Sequence, residues 1–339
     1  MKSAWVVILM LLWLQPLQAE VLPRGYQLTQ AETVPVIIQL ATPGREVKQS
    51  PATGQRVGDG EWLNLRDYIA AAQQALIDDM GWQNVSQIVR FQYLPAVAAT
   101  VTQQELDRLH SSAKVSRVFL NTLRQKKLGS SLQRIGYQQL GSNISGGKGK
   151  VVAVIDDGVA AQHPFLQGKV LAEACFSILV QCAGRLNTEG KGSAQPMDAD
   201  DSHGTHVAGI VAGRNKQTHG VAKEAGIIAA RVSSKVGGRT GMFDSDILAA
   251  LEWVLAQRAQ FDIVAVNLSV GGDQEMIGHC DDLTPYTDIF KLLRANNIIP
   301  VTAAGNEFHT RGLIVPACVS YGVSVGALTP PNQVADYSN

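Results

Sequence analysis

The sequence predicts an α/β chain in two units, a small α+β unit followed by a larger parallel sheet with helices on both faces. Three observations carry this. Before residue 121 the patterns run strand, helix, strand, strand, helix, strand, the split βαβ order. After residue 149, short continuous apolar strands alternate with helices, which suits strands buried on both faces of a covered parallel sheet. Between them, residues 121–149 are polar and rich in Gly, Ser and Lys, a linker composition.

The chain opens with Lys2, an apolar run from Ala4 to Leu14, and a break over Gln15–Ala19 that ends in a small residue. This is the layout of a secretory signal peptide; the run is short for a membrane span and lacks basic residues on its far side. Residues 1–19 are expected to be removed. The rest is then secreted, extracellular or periplasmic, with no membrane attachment after signal removal. Val34–Leu40 is the first strand, ending at Thr42-Pro43-Gly44. Trp62, Leu65, Ile69, Ala72, Leu76 and Met80 fall three or four apart, one face of a helix that Gly81 stops. Val85–Thr102 holds two apolar stretches broken near Pro95. Thr102 with Glu105 reads as a capping box opening a helix over Gln103–His110, and Val115–Leu120 closes the unit. In the second unit strands are expected at Val151–Ile155, Ile227–Val232, Ile263–Leu268, Ile298–Ala303 and Val319–Val325. Helices are expected near His206–Ala212, Asp244–Gln257 and Pro285–Asn296.

Composition narrows the function classes. Of 339 residues, 29 are basic and 29 acidic, so nothing marks a nucleic-acid partner or an acidic membrane surface. Apolar residues make up 45% and charged ones 17%, a globular balance. The four cysteines, Cys175, Cys182, Cys280 and Cys318, are an even number in an oxidising compartment and suggest disulfides. Three connectivities are open; Cys175–Cys182 with Cys280–Cys318 is favoured. There is no C-x-x-C and no His/Cys cluster, so no metal or other cofactor is expected.

Three segments stand where strands end or helices begin, the place where such sheets form their crevice. In Val152-Ala153-Val154-Ile155-Asp156-Asp157-Gly158 a carboxylate follows a buried strand. In Asp201-Ser202-His203-Gly204-Thr205-His206-Val207-Ala208-Gly209 a His opens an apolar helix; His203 and His206 lack the Glu of a zinc-binding H-E-x-x-H. In Val301-Thr302-Ala303-Ala304-Gly305-Asn306 an amide side chain follows a strand and a small-residue turn. Singly these are an Asp at a strand end, a His on a helix and an Asn in a turn. Together, in this order, they resemble the subtilisin family, whose chain order is Asp, His, Ser. Gly220-Val221-Ala222-Lys223, Val266-Asn267-Leu268-Ser269-Val270-Gly271-Gly272 and Pro316-Ala317-Cys318 agree with it.

The resemblance implies a subtilisin-like three-layer fold over residues 128–339, preceded by a ferredoxin-like inhibitory propeptide over 20–127. It implies a serine endopeptidase acting on peptide or protein substrates, with the propeptide as an intramolecular inhibitor. Asp156 becomes the triad acid, His203 the general base and Asn306 the oxyanion donor. The chemistry suits them. A buried carboxylate fixes the imidazole tautomer, and an imidazole can take and return a proton near neutrality. An amide aimed at the developing oxyanion is worth about 3–4 kcal/mol, a figure taken from subtilisin itself. Ser269-Val270-Gly271 resembles the edge strand that pairs with substrate, and Ala303-Ala304-Gly305 the wall of the main specificity pocket. Asp157 stands where relatives usually carry Ser or Thr; in processing proteases of the kexin type an Asp there favours basic substrate residues. Phe165 replaces a common calcium-binding Asp, and the segment after Ala212 is short, so that calcium site is not expected. The tail after Leu120 is expected in the substrate groove, with maturation between Leu120 and Ser131. The Gly-Thr-Ser motif that carries the nucleophile does not occur in the sequence. The chain is therefore expected to be C-terminally truncated and inactive as written, the alternative being a pseudoprotease that binds peptides or a protease.

Overall fold

The computed structural model describes residues 21–24, 26–28, 33–41, 59–82, 88–126, 145–199, 201–329 and 333–339. The expected signal segment and residues 127–144 of the linker, with the later part of the expected maturation range, lie outside them.

The first unit contains β1 (Thr33–Leu40), α1 (Asp59–Met80), β2 (Val89–Arg90), β3 (Ala96–Thr102), α2 (Gln103–Ser111) and β4 (Val115–Leu120). Its antiparallel sheet runs β2-β3-β1-β4. Strand alternation gives each face a separate task. Val36, Ile38 and Leu40 of β1 pack with Leu76 and Ile77 of α1 and with Leu106 and Leu109 of α2. Ile37, between them, turns to the other face with Phe119 and joins the core of the second unit. The capping box forms: the Thr102 hydroxyl accepts from the Glu105 N–H, and the Glu105 carboxylate accepts from the Thr102 N–H at 2.8 Å.

A short strand, β5 (Leu123–Lys126), leads out of this unit. The second unit follows as β6 (Val151–Asp156), β7 (Val170–Phe176), β8 (Asn187–Glu189), α3 (His203–Ala212), β9 (Gly226–Arg231), β10 (Ser233–Val236), β11 (Arg239–Phe243), α4 (Asp244–Gln257), β12 (Ile263–Leu268), β13 (Val270–Gly271), α5 (Tyr286–Ala295), β14 (Ile299–Ala303) and β15 (Val323–Val325). The main sheet is ordered β15-β14-β12-β6-β9-β7-β8, parallel except for the β7–β8 edge pair. Its two faces feed different layers. Ala153 and Ile155 of β6 pack toward α4 and α5, while Val154 packs with Val207 and Ala208 of α3. Three layers result, as the sequence predicts.

Two disulfides form, Cys175–Cys182 and Cys280–Cys318. The second explains why the last expected strand is shorter than the apolar run Val319–Val325. Residues from Pro316 to Gly322 turn instead, with Val319 N–H bonded to Pro316 O and Gly322 N–H to Val319 O at 3.1 Å each. Val319 is buried all the same, so its apolar character reports burial and not strand.

The first unit sits on α4 and α5. The Glu252 carboxylate of α4 accepts the N–H groups of Gln92, Tyr93 and Leu94 at 2.5 Å each. Asn121 caps α4 from outside its own element, its side-chain oxygen accepting from Ser245 N–H at 2.9 Å. Thr122 N–H donates to Asp244 at 3.1 Å, Gln39 to Asp288 of α5 at 2.9 Å, and Arg117 pairs with Asp282 at 3.3 Å.

Candidate active site

Asp156 is the last residue of β6 and is fully buried. His203 is the first residue of α3. The ring Nδ1 of His203 lies 2.7 Å from Asp156 Oδ1, which also accepts the Asp157 N–H at 2.7 Å. Burial pushes the Asp156 carboxyl up to about 6, against the pull of the His203 hydrogen bond. An imidazole held at Nδ1 has a fixed tautomer and orientation, which leaves Nε2 as the nitrogen that exchanges a proton.

The local sequence explains the approach. Ser202 offers no side-chain cap to α3. Asp157 does so instead, accepting the N–H of His203 at 3.2 Å and of Gly204 at 2.6 Å. A carboxylate at a helix N-terminus is favoured by the macrodipole. Gly204 lets the helix come this close: a Cβ there would lie 2.4 Å from Gly158 O and 2.7 Å from Asp156 Cβ. Asp157, expected among the substrate-contacting residues, is thus fully buried with its carboxylate turned to α3 and not into the groove. Phe165 packs its ring against Gly209 and Gly213 on the same helix.

The remaining expected residues divide between a cavity along α3 and the strand β13. Ser269, Ala303, Gly305 and Asn306 line one cavity of about 290 Å³, together with Asn267 and with Val207, one turn beyond His203. Ala304 is buried behind them. Gly305 has φ +126, and the Asn306 N–H donates to Glu307 at 2.7 Å. Val270 and Gly271 are buried and face β5: Val270 pairs with Lys126 and Gly271 with Gln125, antiparallel. The other side of β5 pairs with β11, Met242 opposite Arg124 and Phe243 opposite Leu123. The tail of the first unit is therefore held as the middle strand between β11 and β13. The β11 edge was not expected from the sequence. Its signal is Gly237-Gly238, at φ +55 and +78 between the paired Val236 and Arg239, a two-residue hairpin turn.

The fold and site define a class: a parallel α/β sheet covered on both faces, with an Asp–His pair made by a buried Asp at a strand end and a part-buried His at a helix start, and an edge strand paired to an extended segment. The family comparison agrees. The Subtilase family model matches residues 147–339, more than half of the chain, and the chain belongs to that family. It is 30% identical over 211 residues to Subtilisin-like protease 3 of Pseudogymnoascus destructans, covering 60% of this chain and 44% of that protein. It is 28% identical over 203 residues to the Intracellular serine protease of Paenibacillus polymyxa, covering 58% and 55%. The chain spans about half the length of the curated relatives it matches. Among solved structures, the epidermin leader peptide processing serine protease of Staphylococcus aureus superposes with a TM-score of 0.58 at 18% identity, covering 91% of this chain and 72% of that one, a likeness of fold.

Proposed function

We propose that this chain carries the acid, the base and the oxyanion donor of a secreted serine endopeptidase. In this reading Asp156 orients and stabilises the imidazolium of His203, His203 takes the proton of a serine hydroxyl, and Asn306 donates to the developing oxyanion. The single observation that carries it is the 2.7 Å Asp156–His203 hydrogen bond beside a strand, β13, already paired with an extended segment. That segment marks where a peptide substrate would lie, since main-chain pairing is available to any extended peptide. Residues 20–127 then act as an intramolecular inhibitor whose β5 occupies the groove, and residues 128–339 as the peptidase domain. The four half-cystines suit an oxidising compartment, and no described helix is long and apolar enough to cross a membrane. The serine whose proton His203 takes is not assigned to a residue of this sequence, which holds no Gly-Thr-Ser motif.

The test is peptide hydrolysis by the polypeptide that the gene encodes, beside its His203→Ala variant. Hydrolysis should be blocked by serine-directed organophosphates. It should fall about 10⁴-fold or more in the variant, the scale found on removing a triad member from subtilisin itself. Hydrolysis that survives His203→Ala, or that chelators of catalytic metals abolish, would overturn the assignment. The 339 residues alone should not turn over a peptide.

A further inference from the structure

One polar cluster near the site is not used by the mechanism. Lys235, in the middle of the hairpin formed by β10 and β11, is gripped at both ends. The Gln181 side-chain amide clamps its backbone, accepting the Lys235 N–H at 2.8 Å and donating to the Lys235 carbonyl at 3.1 Å. Gln181 sits in the short loop closed by Cys175–Cys182. At the other end the Lys235 ammonium donates to Thr240 Oγ1 at 2.6 Å and to Asp198 at 2.8 Å, with Asp201 at 3.5 Å. The Thr240 hydroxyl passes the contact on, donating to Asp201 Oδ1 at 3.1 Å. Asp201 is buried and stands two residues before His203.

Half-exposed ion pairs contribute little as energy, but this ammonium joins segments that lie far apart in the sequence. Thr240 pairs with Lys235 across the hairpin, and Met242, two residues on and on the same strand face, stands opposite Arg124 of β5. Pairing and backbone together therefore link the extended segment to His203: β5 pairs with β11, β11 carries Thr240, Thr240 hydrogen-bonds to Asp201, and Asp201 leads through Ser202 into His203. We propose that Lys235 is a positioning residue that couples occupancy of the β11 edge to the placement of His203 against Asp156. The proposal rests on reading Asp156 and His203 as the catalytic pair. It implies that a peptide on β11 does more than bind: it sets the base.

The full chain tests this by amide hydrogen exchange and by the proton resonance of the His203 Nδ1–Asp156 hydrogen bond. Lys235→Met removes the charge and keeps the length. Thr240→Val exchanges the hydroxyl for a methyl at nearly constant volume, so it stays informative if the first variant folds poorly. Each should raise exchange over residues 123–126 and 242–243 about tenfold, the loss of one hydrogen bond, and broaden the His203 resonance. Exchange in β1, β3 and β4 should be unchanged, and Lys235→Arg should restore both readouts. A merely structural lysine would lower the melting temperature and move neither. Asp156→Asn should abolish the resonance. A resonance indifferent to Asp156→Asn would overturn the catalytic pair itself. A resonance that Asp156→Asn abolishes but both other variants leave sharp, with exchange unmoved, would overturn the coupling alone.

Discussion

The two units are built from the same kinds of element but bury different chemistry. Among the described residues, the first unit buries Gln73 and Asn121 and no carboxylate, whereas the second buries Asp156, Asp157, Glu173, Asp201, Asp244, Asp246 and Glu252. The first is held by apolar alternation. In the second, six of the seven buried carboxylates accept backbone N–H groups, fixing loops and helix ends that apolar packing would leave free, and Asp201 accepts the Thr240 hydroxyl. Asp157 holds α3, Asp246 takes Ile178 N–H at 2.8 Å, and Glu173 takes Gly192 N–H at 2.9 Å. Two of the seven, Asp244 and Glu252, take amides of the first unit. The contrast teaches that the larger unit is organised to hold other backbone, its own and its neighbour's.

The largest effect should come at Glu252. Glu252→Ala leaves three amides of residues 92–94 without their acceptor and should weaken docking by about 3 kcal/mol or more. The check is faster hydrogen exchange over residues 88–98. Unchanged exchange would show that the Glu252 carboxylate does not hold the first unit in place. The same carboxyl makes docking depend on pH. Burial raises it from 4.5 to about 8, so the docked form keeps a proton that the undocked form gives up. Docking should be strongest below about pH 4.5 and weaken as the pH rises through about 8, measurable as exchange at those amides between pH 5 and 9.

A smaller loss is expected at Gly204. The added methyl of Gly204→Ala must push α3 away from Asp156, at a cost of about 2 kcal/mol in thermal unfolding, and should shift the His203 Nδ1 resonance. Smallest is Thr102→Ala, which removes a surface cap from α2 for about 1 kcal/mol. It should leave the His203 resonance untouched. Movement there would mean that the two units are less separable than their buried groups suggest.

Much of this was legible before the structure, and the reasons differ by residue. Val115–Leu120, Asp244–Gln257 and Ile263–Leu268 coincide with β4, α4 and β12 because burial there dictates both pattern and ends. The helix expected from His206 begins at His203, because its cap comes from Asp157, far away in sequence. β7 was missed because Glu173 interrupts its apolar run; the carboxylate is buried only because Gly192 supplies an N–H. β10 and β11 are polar strands whose stability is in backbone pairing and the Lys235 cluster, which leaves no hydrophobic period to read. Asp156, His203 and the strand at Ser269–Gly271 were visible as motif residues. The inward turn of Asp157 was not, since two adjacent Asp residues look alike in sequence and only the helix position tells them apart.

On the proposed reading, the strand in the groove belongs to the same molecule as the groove, and this changes the terms of competition. A tethered segment faces its site at an effective concentration on the order of millimolar, whatever the protein's own dilution. Because β5 is held on both sides by main-chain pairing with β11 and β13, a free peptide gains no advantage merely by having better pairing groups. It must outnumber the tether, or the tether must be cut. Once cut, the same segment competes at its bulk concentration, so a break in one covalent bond makes the occupancy of the groove depend on dilution.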